Sequence, residues 1–213
     1  MNEPEPAPEA AWWDGAWLDV VAFIAGLGMA WYWNWETKDL IWSLWLSSLA
    51  VGYTMILWGL LGRMIKTRKL ISGMILLGFL SLHFGLFHII HSALLNTFFP
   101  IAGDSGVPAI RSYGQVMSHY WYFLPAAFIA EREGFIQMWS NTTGHPINVI
   151  ADAGNGFLKP YRNVMRMHLL IFFFIFANLA KLENILVYAV VYAVYFFPWR
   201  LLKNIPEPKP VKP

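Results

Sequence analysis

Between Leu40 and Pro100 the chain carries four charged side chains, and all of them fall within Arg63–Lys69. The stretches on either side, Leu40–Gly62 and Leu70–Pro100, hold no Asp, Glu, Lys or Arg. A helix that crosses the hydrocarbon core of a bilayer needs about 20 consecutive, mostly apolar residues. Both stretches meet that length, and a basic turn joins them. Composition agrees: 57% of the 213 residues are hydrophobic and 13% are charged, against about 25% charged in ordinary soluble domains. This pattern predicts an all-α integral membrane protein.

Six apolar segments are legible: Trp17–Trp35, Leu40–Leu61, Leu70–Phe99, Gln115–Ala130, Val164–Ala180 and Asn184–Trp199. They predict a bundle of about six transmembrane helices over 17–202. Pro125 should kink the fourth, freeing the carbonyl of Trp121 for a bundle neighbour or a cavity to satisfy. The basic residues set the orientation. Arg63, Lys66, Arg68 and Lys69 precede segment three; Lys159, Arg162 and Arg166 lead into segment five; Arg200, Lys203, Lys209 and Lys212 follow segment six. Six spans place all three clusters on one side, which makes that side and both termini cytoplasmic. Trp31, Trp33, Trp35, Trp42 and Trp121 then fall near the outer boundary, and Trp12, Trp13, Trp17, Trp58 and Trp199 near the inner one, as interfacial anchors do. Residues 1–16 (MNEPEPAPEA and onward) read as a disordered acidic, proline-rich arm without a cleavable signal. Residues 131–162 read as an inner loop with a weakly amphipathic start, and 203–213 as a Pro/Lys-rich tail.

The chain has no Cys, which removes thiolate metal sites, iron–sulfur clusters and cysteine nucleophiles. The uncharged segments lack the carboxylates of a di-iron bundle or a paired-acid hydrolase. They also lack the ionisable groups that carry ions or protons through most pumps. No GxSxG occurs. No basic stretch interleaved with aromatics lies outside the apolar runs, so nucleic acid is not an expected partner.

Histidine remains. The stretch LHFGLFHIIHSALL places His83, His88 and His91 in segment three. His88 and His91 are three residues apart and share a helix face; His83 lies roughly 80° round from His91. By depth, His119 at the start of segment four is on the same outer side. His88, His91 and His119 are therefore the candidate ligands of a transition metal, and imidazoles from separate helices are also able to hold haem. The competing reading is structural. His83 and His91 are expected to face the bundle interior, with His168, Ser47 and Ser48 as partners for His83 and Gly85 leaving room for a neighbouring helix. Gly52, Gly73 and Gly78 are also expected to permit close approach. His145, in GHP, is expected to be solvated.

HFGLFHIIH at His83–His91, PYRNVMRMHLLIF at Pro160–Phe172 and FFPWRLL at Phe196–Leu202 resemble a family of uncharacterised bacterial multi-pass membrane proteins, the DUF6498-containing proteins. The resemblance implies His83, His91 and His168 as the family-type positions and candidate cofactor-binding residues. His88 and His119 are then particular to this sequence. It also implies an acidic residue where this chain has Ser47, so a family carboxylate at that place has no counterpart here. No activity comes with the family.

The functional expectation is a non-catalytic accessory or scaffold protein of the bacterial cytoplasmic membrane, held with other membrane subunits. The alternative is a redox or metal protein binding haem or a transition metal through the segment-three histidines. A small-molecule or lipid carrier is the weaker third.

Overall fold

A computed structural model describes residues 16–101, 110–136, 158–180 and 191. The described residues are helical, with no strand among them. Five helices follow one another: α1 (Ala16–Tyr32), α2 (Thr37–Thr67), α3 (Leu70–Phe98), α4 (Ile110–Tyr120) and α5 (Leu124–Ala130), with a 3₁₀ turn at Trp121–Phe123 between the last two. Residues 132–136, the start of the expected inner loop, are also helical, and α6 is Leu158–Leu179.

α3 matches the second uncharged run, while α2 contains the first and extends beyond it at both ends through Lys38, Asp39, Arg63 and Lys66; both are long and apolar enough to cross a membrane. α2 opens on a reciprocal cap. The Glu36 side chain accepts from the Asp39 backbone, and Asp39 Oδ2 accepts from the Glu36 N–H at 2.9 Å. Two first-turn donors are thereby satisfied. α2 closes at Arg68, whose φ of 54° is left-handed, and α3 starts two residues later.

The two helices then run antiparallel. Trp42 meets Phe99, Trp45 meets His88, Tyr53 meets Ser81 and Met64 meets Gly73, so one number falls as the other rises. Glycine sets how closely they approach. A Cβ on Gly52 would strike the Phe84 ring, and one on Gly73 would strike Met64. Gly78 and Gly85 behave differently: both look onto open space. Among the described residues nothing approaches at those two positions, because α2 packs on a different side of α3.

α2 is the centre of the described structure. It packs on α3, α4, α5 and α6, while α1 leans on α5. Its most apolar stretch is 67% buried; that of α3 is 17% buried. The main apolar core joins Leu40, Ile41, Trp42 and Trp45 of α2 to Leu95 and Phe99, Val116 and Tyr120, Phe123, and Leu170, Ile171 and Phe174 of α6. A smaller cluster of Ile56, Leu60, Leu80 and Phe84 continues the α2–α3 seam.

Segment four is broken rather than merely kinked. Pro125 stands in the first turn of α5, and the three residues before that helix tighten into the 3₁₀ turn. The Trp121 carbonyl is satisfied by the Leu124 N–H, so the bundle neighbour or cavity anticipated from the sequence is not needed. A shorter, tighter turn keeps that bond within the chain itself. On the same helix α5, the Ile129 carbonyl accepts from Arg132, which also pairs with the largely buried Asp19 of α1. Segment six, the Lys181–Asn184 connection, the 1–15 arm, the tail and most of the 131–162 loop lie outside the described residues; Val191 is helical and buried.

Candidate functional site

The polar groups of the interior gather where α2, α3 and α4 meet. His88 and His91, each 2% exposed, occupy the buried side of α3, and their ring centroids are 6.2 Å apart. Their three-residue spacing puts both on one face, as the sequence anticipated.

His88 Nδ1 lies 3.0 Å from the Phe84 carbonyl oxygen. A carbonyl only accepts, so in the neutral ring Nδ1 carries the proton and Nε2 presents its lone pair. Facing Nε2 at 3.4 Å is the Ser48 hydroxyl of α2, which donates to it. The distance is at the long end for such a bond. Trp45, one turn earlier on α2, donates its indole N–H to the His88 carbonyl oxygen at 3.1 Å. α2 thus holds both the main chain and the side chain of one α3 residue.

α4 completes the node. The Tyr113 ring stacks on Trp45, with centroids 5.7 Å apart and planes 14° from parallel. Its hydroxyl lies 2.8 Å from Ser92 Oγ, and Ser92 donates its own proton to the Ile89 carbonyl, so Tyr113 is the donor. Nearer the α2 N-terminus, the Tyr120 hydroxyl donates to Asp39 Oδ1 at 2.6 Å, tying the end of α4 to the first turn of α2. Around that bond Trp33 stacks on Tyr122, and Trp35 packs against Tyr120 and Phe123.

The other predicted residues lie elsewhere. His83 is exposed, against the expectation that it faces the interior. Its ring stacks on Phe79 and meets the edge of Phe87. Ser48 serves His88 rather than His83, and Ser47 donates to the Ser43 carbonyl of its own helix. His119 is exposed on α4, with Nδ1 on the Gln115 carbonyl at 2.9 Å and Ser118 alongside. His168 lies within α6; its side chain and His145 are outside what is described. Among the described residues, no three His, Asp or Glu side chains gather closely enough to hold a metal ion. The structure therefore brings His88 and His91 together and leaves His119 and His83 apart from them.

Trp45, Ser92 and Tyr113 are the site residues that sequence reasoning missed. Nothing local in the sequence distinguished any of them.

A family model described as Family of unknown function (DUF6498) matches residues 6–197. No curated protein and no solved structure matches the chain significantly.

Proposed function

The chain belongs to the Family of unknown function (DUF6498), a membership that brings no activity with it, and from its own residues we propose a non-catalytic accessory or scaffold protein of a bacterial cytoplasmic membrane, crossing it about six times with both termini inside. The observation that carries this reading is the contrast between the two long helices. Ile71, Ile75, Leu82 and Leu86 of α3 are all more than half exposed along one apolar face. Contiguous exposed apolar surface of that length suits lipid or a protein partner and is costly in water. The described polar interior supports the non-catalytic part. Its hydroxyls, indole and His88 ring are occupied in bonds between and within helices, which is how polar side chains join helices in lipid. The basic clusters support the orientation.

A second reading, a metal or haem protein, has one observation in its favour: two buried imidazoles in ring contact. Of these, His88 offers Nε2 as the ligating atom, and a metal there would displace the Ser48 hydroxyl. Bound haem or metal would supply redox chemistry that these side chains lack.

Purification in mild detergent, followed by an absorption spectrum, elemental analysis and size determination, separates the two. The accessory reading expects no Soret band, sub-stoichiometric metal, and migration within an assembly of fixed composition larger than the chain. A Soret band or stoichiometric metal that His88→Gln or His91→Gln removes would establish the second reading instead. A chain that migrates alone would contradict the accessory role.

A further inference from the structure

We propose that two copies of this chain pair in the membrane through the side of α3 that carries Gly78, Ser81 and Gly85, with the Tyr53–Ser81 hydroxyl pair at the centre of the contact. The inference rests on the membrane reading above and names a partner for that surface.

The hydroxyl pair lies on the seam between the two long helices, near the middle of both. Tyr53 Oη and Ser81 Oγ are 3.2 Å apart, on the exposed side of the seam. Each hydroxyl carries one proton and two lone pairs. One proton closes the bond between them, and among the described residues neither hydroxyl makes another hydrogen bond. The pair keeps one proton to donate and lone pairs with which to accept. Facing hydrocarbon, that proton has no acceptor, which is costly.

The surface beside the pair admits a helix. Ser81 stands between Gly78 and Gly85, which are seven residues apart and so share a side of α3. Among the described residues, a Cβ on either glycine would meet nothing within 4 Å. Seven residues further on is Ser92, where this side of α3 already takes a helix: the Tyr113 hydroxyl of α4 lies 2.8 Å from Ser92 Oγ. The open surface at Gly85 and Gly78 therefore continues an existing helix contact. Met74 and Ile89, each more than half exposed, supply apolar area along it.

A second copy fits this surface better than acyl chains do. Lipid tails offer no hydrogen-bonding group. Another copy, inserted in the same direction, carries the same hydroxyl pair at the same depth. About a two-fold axis along the bilayer normal, the spare proton of each pair meets the lone pairs of the other, so the surface is self-complementary. Small side chains at such a contact let two backbones approach closely in lipid.

The sequence contains no Cys, so single cysteines report the contact directly. In native membranes under mild oxidation, Gly85→Cys should cross-link into a covalent dimer. Ile90→Cys, about 140° round the same helix, should not. Dissociation constants follow from energy transfer between full-length chains labelled at Lys209→Cys, in phosphatidylcholine vesicles of increasing lipid-to-protein ratio. Tyr53→Phe should weaken pairing roughly threefold or more, the worth of one interhelical hydrogen bond in lipid. Gly78→Leu with Gly85→Leu should weaken it about tenfold or more by overpacking the contact. Thermal unfolding of that double variant in detergent should match wild type, because both side chains enter open space in the single chain. Energy transfer absent at every dilution would overturn the proposal, leaving lipid or another segment of the chain as the cover for this side of α3. Equal cross-linking at Gly85→Cys and Ile90→Cys, or a dissociation constant unchanged in either variant, would overturn it too. Release of the protein from its membranes by an alkaline wash is a separate outcome that would sink the membrane reading and the proposal with it.

Discussion

At the scale of single residues, the difference between His83 and His88 decides what the histidines do. Both sit in an apolar helix, five positions apart. His88 faces α2 and finds Ser48 and the Trp45 indole beside it; His83 faces outward between two phenylalanines. In lipid, an interhelical hydrogen bond contributes about 0.6 kcal/mol on average. A double-mutant cycle of Ser48→Ala and His88→Leu should therefore give a coupling of about 0.6 kcal/mol in unfolding free energy. His88→Gln retains bonding capacity and should cost less than His88→Leu. A coupling indistinguishable from zero would remove Ser48 from the account of how α2 holds α3. The sequence placed His88 and His91 on one face correctly through their spacing. It misplaced His83 because α3 is apolar on nearly every side, so no amphipathic stripe marks the buried face.

At the scale of elements, the helix pair depends on two glycines. Gly52 lies against the fully buried ring of Phe84. Phe84 also packs with Ile56, Leu60 and Leu80, so its ring has little freedom to retreat. Gly52→Ala should destabilise the protein by about 1–3 kcal/mol, the usual cost of overpacking. Gly85→Ala, facing open space, should be neutral or slightly stabilising. Equal effects at both positions in a denaturation series would contradict the packing described. The apolar centres of α2 and α3 were legible in advance because charge stops where apolar sequence begins, but α2 runs on at both ends through Lys38, Asp39, Arg63 and Lys66. The break at segment four was half legible: Pro125 signalled an interruption, but the 3₁₀ turn arises from how Leu124 bonds back to Trp121. The node joining Trp45, Tyr113 and Ser92 was not legible. Its members come from three helices, and Tyr113 stands before the apolar segment that begins at Gln115.

At the scale of the whole molecule, a central helix buried on most sides stands beside a neighbour exposed along its length, an arrangement compatible with membrane association. The proposed arrangement puts Gly62–Lys69, residues 131–162 and the C-terminus on one side of the bilayer, driven by their basic clusters. The absence of Cys from the sequence makes this directly measurable. Single cysteines at Thr67, Asn141 and Lys209, probed with a membrane-impermeant thiol reagent in right-side-out and inverted vesicles, report the side of each position. Labelling of all three from the cytoplasmic side alone is the predicted result. Labelling of Asn141 from the side opposite to Thr67 would contradict the six-span arrangement.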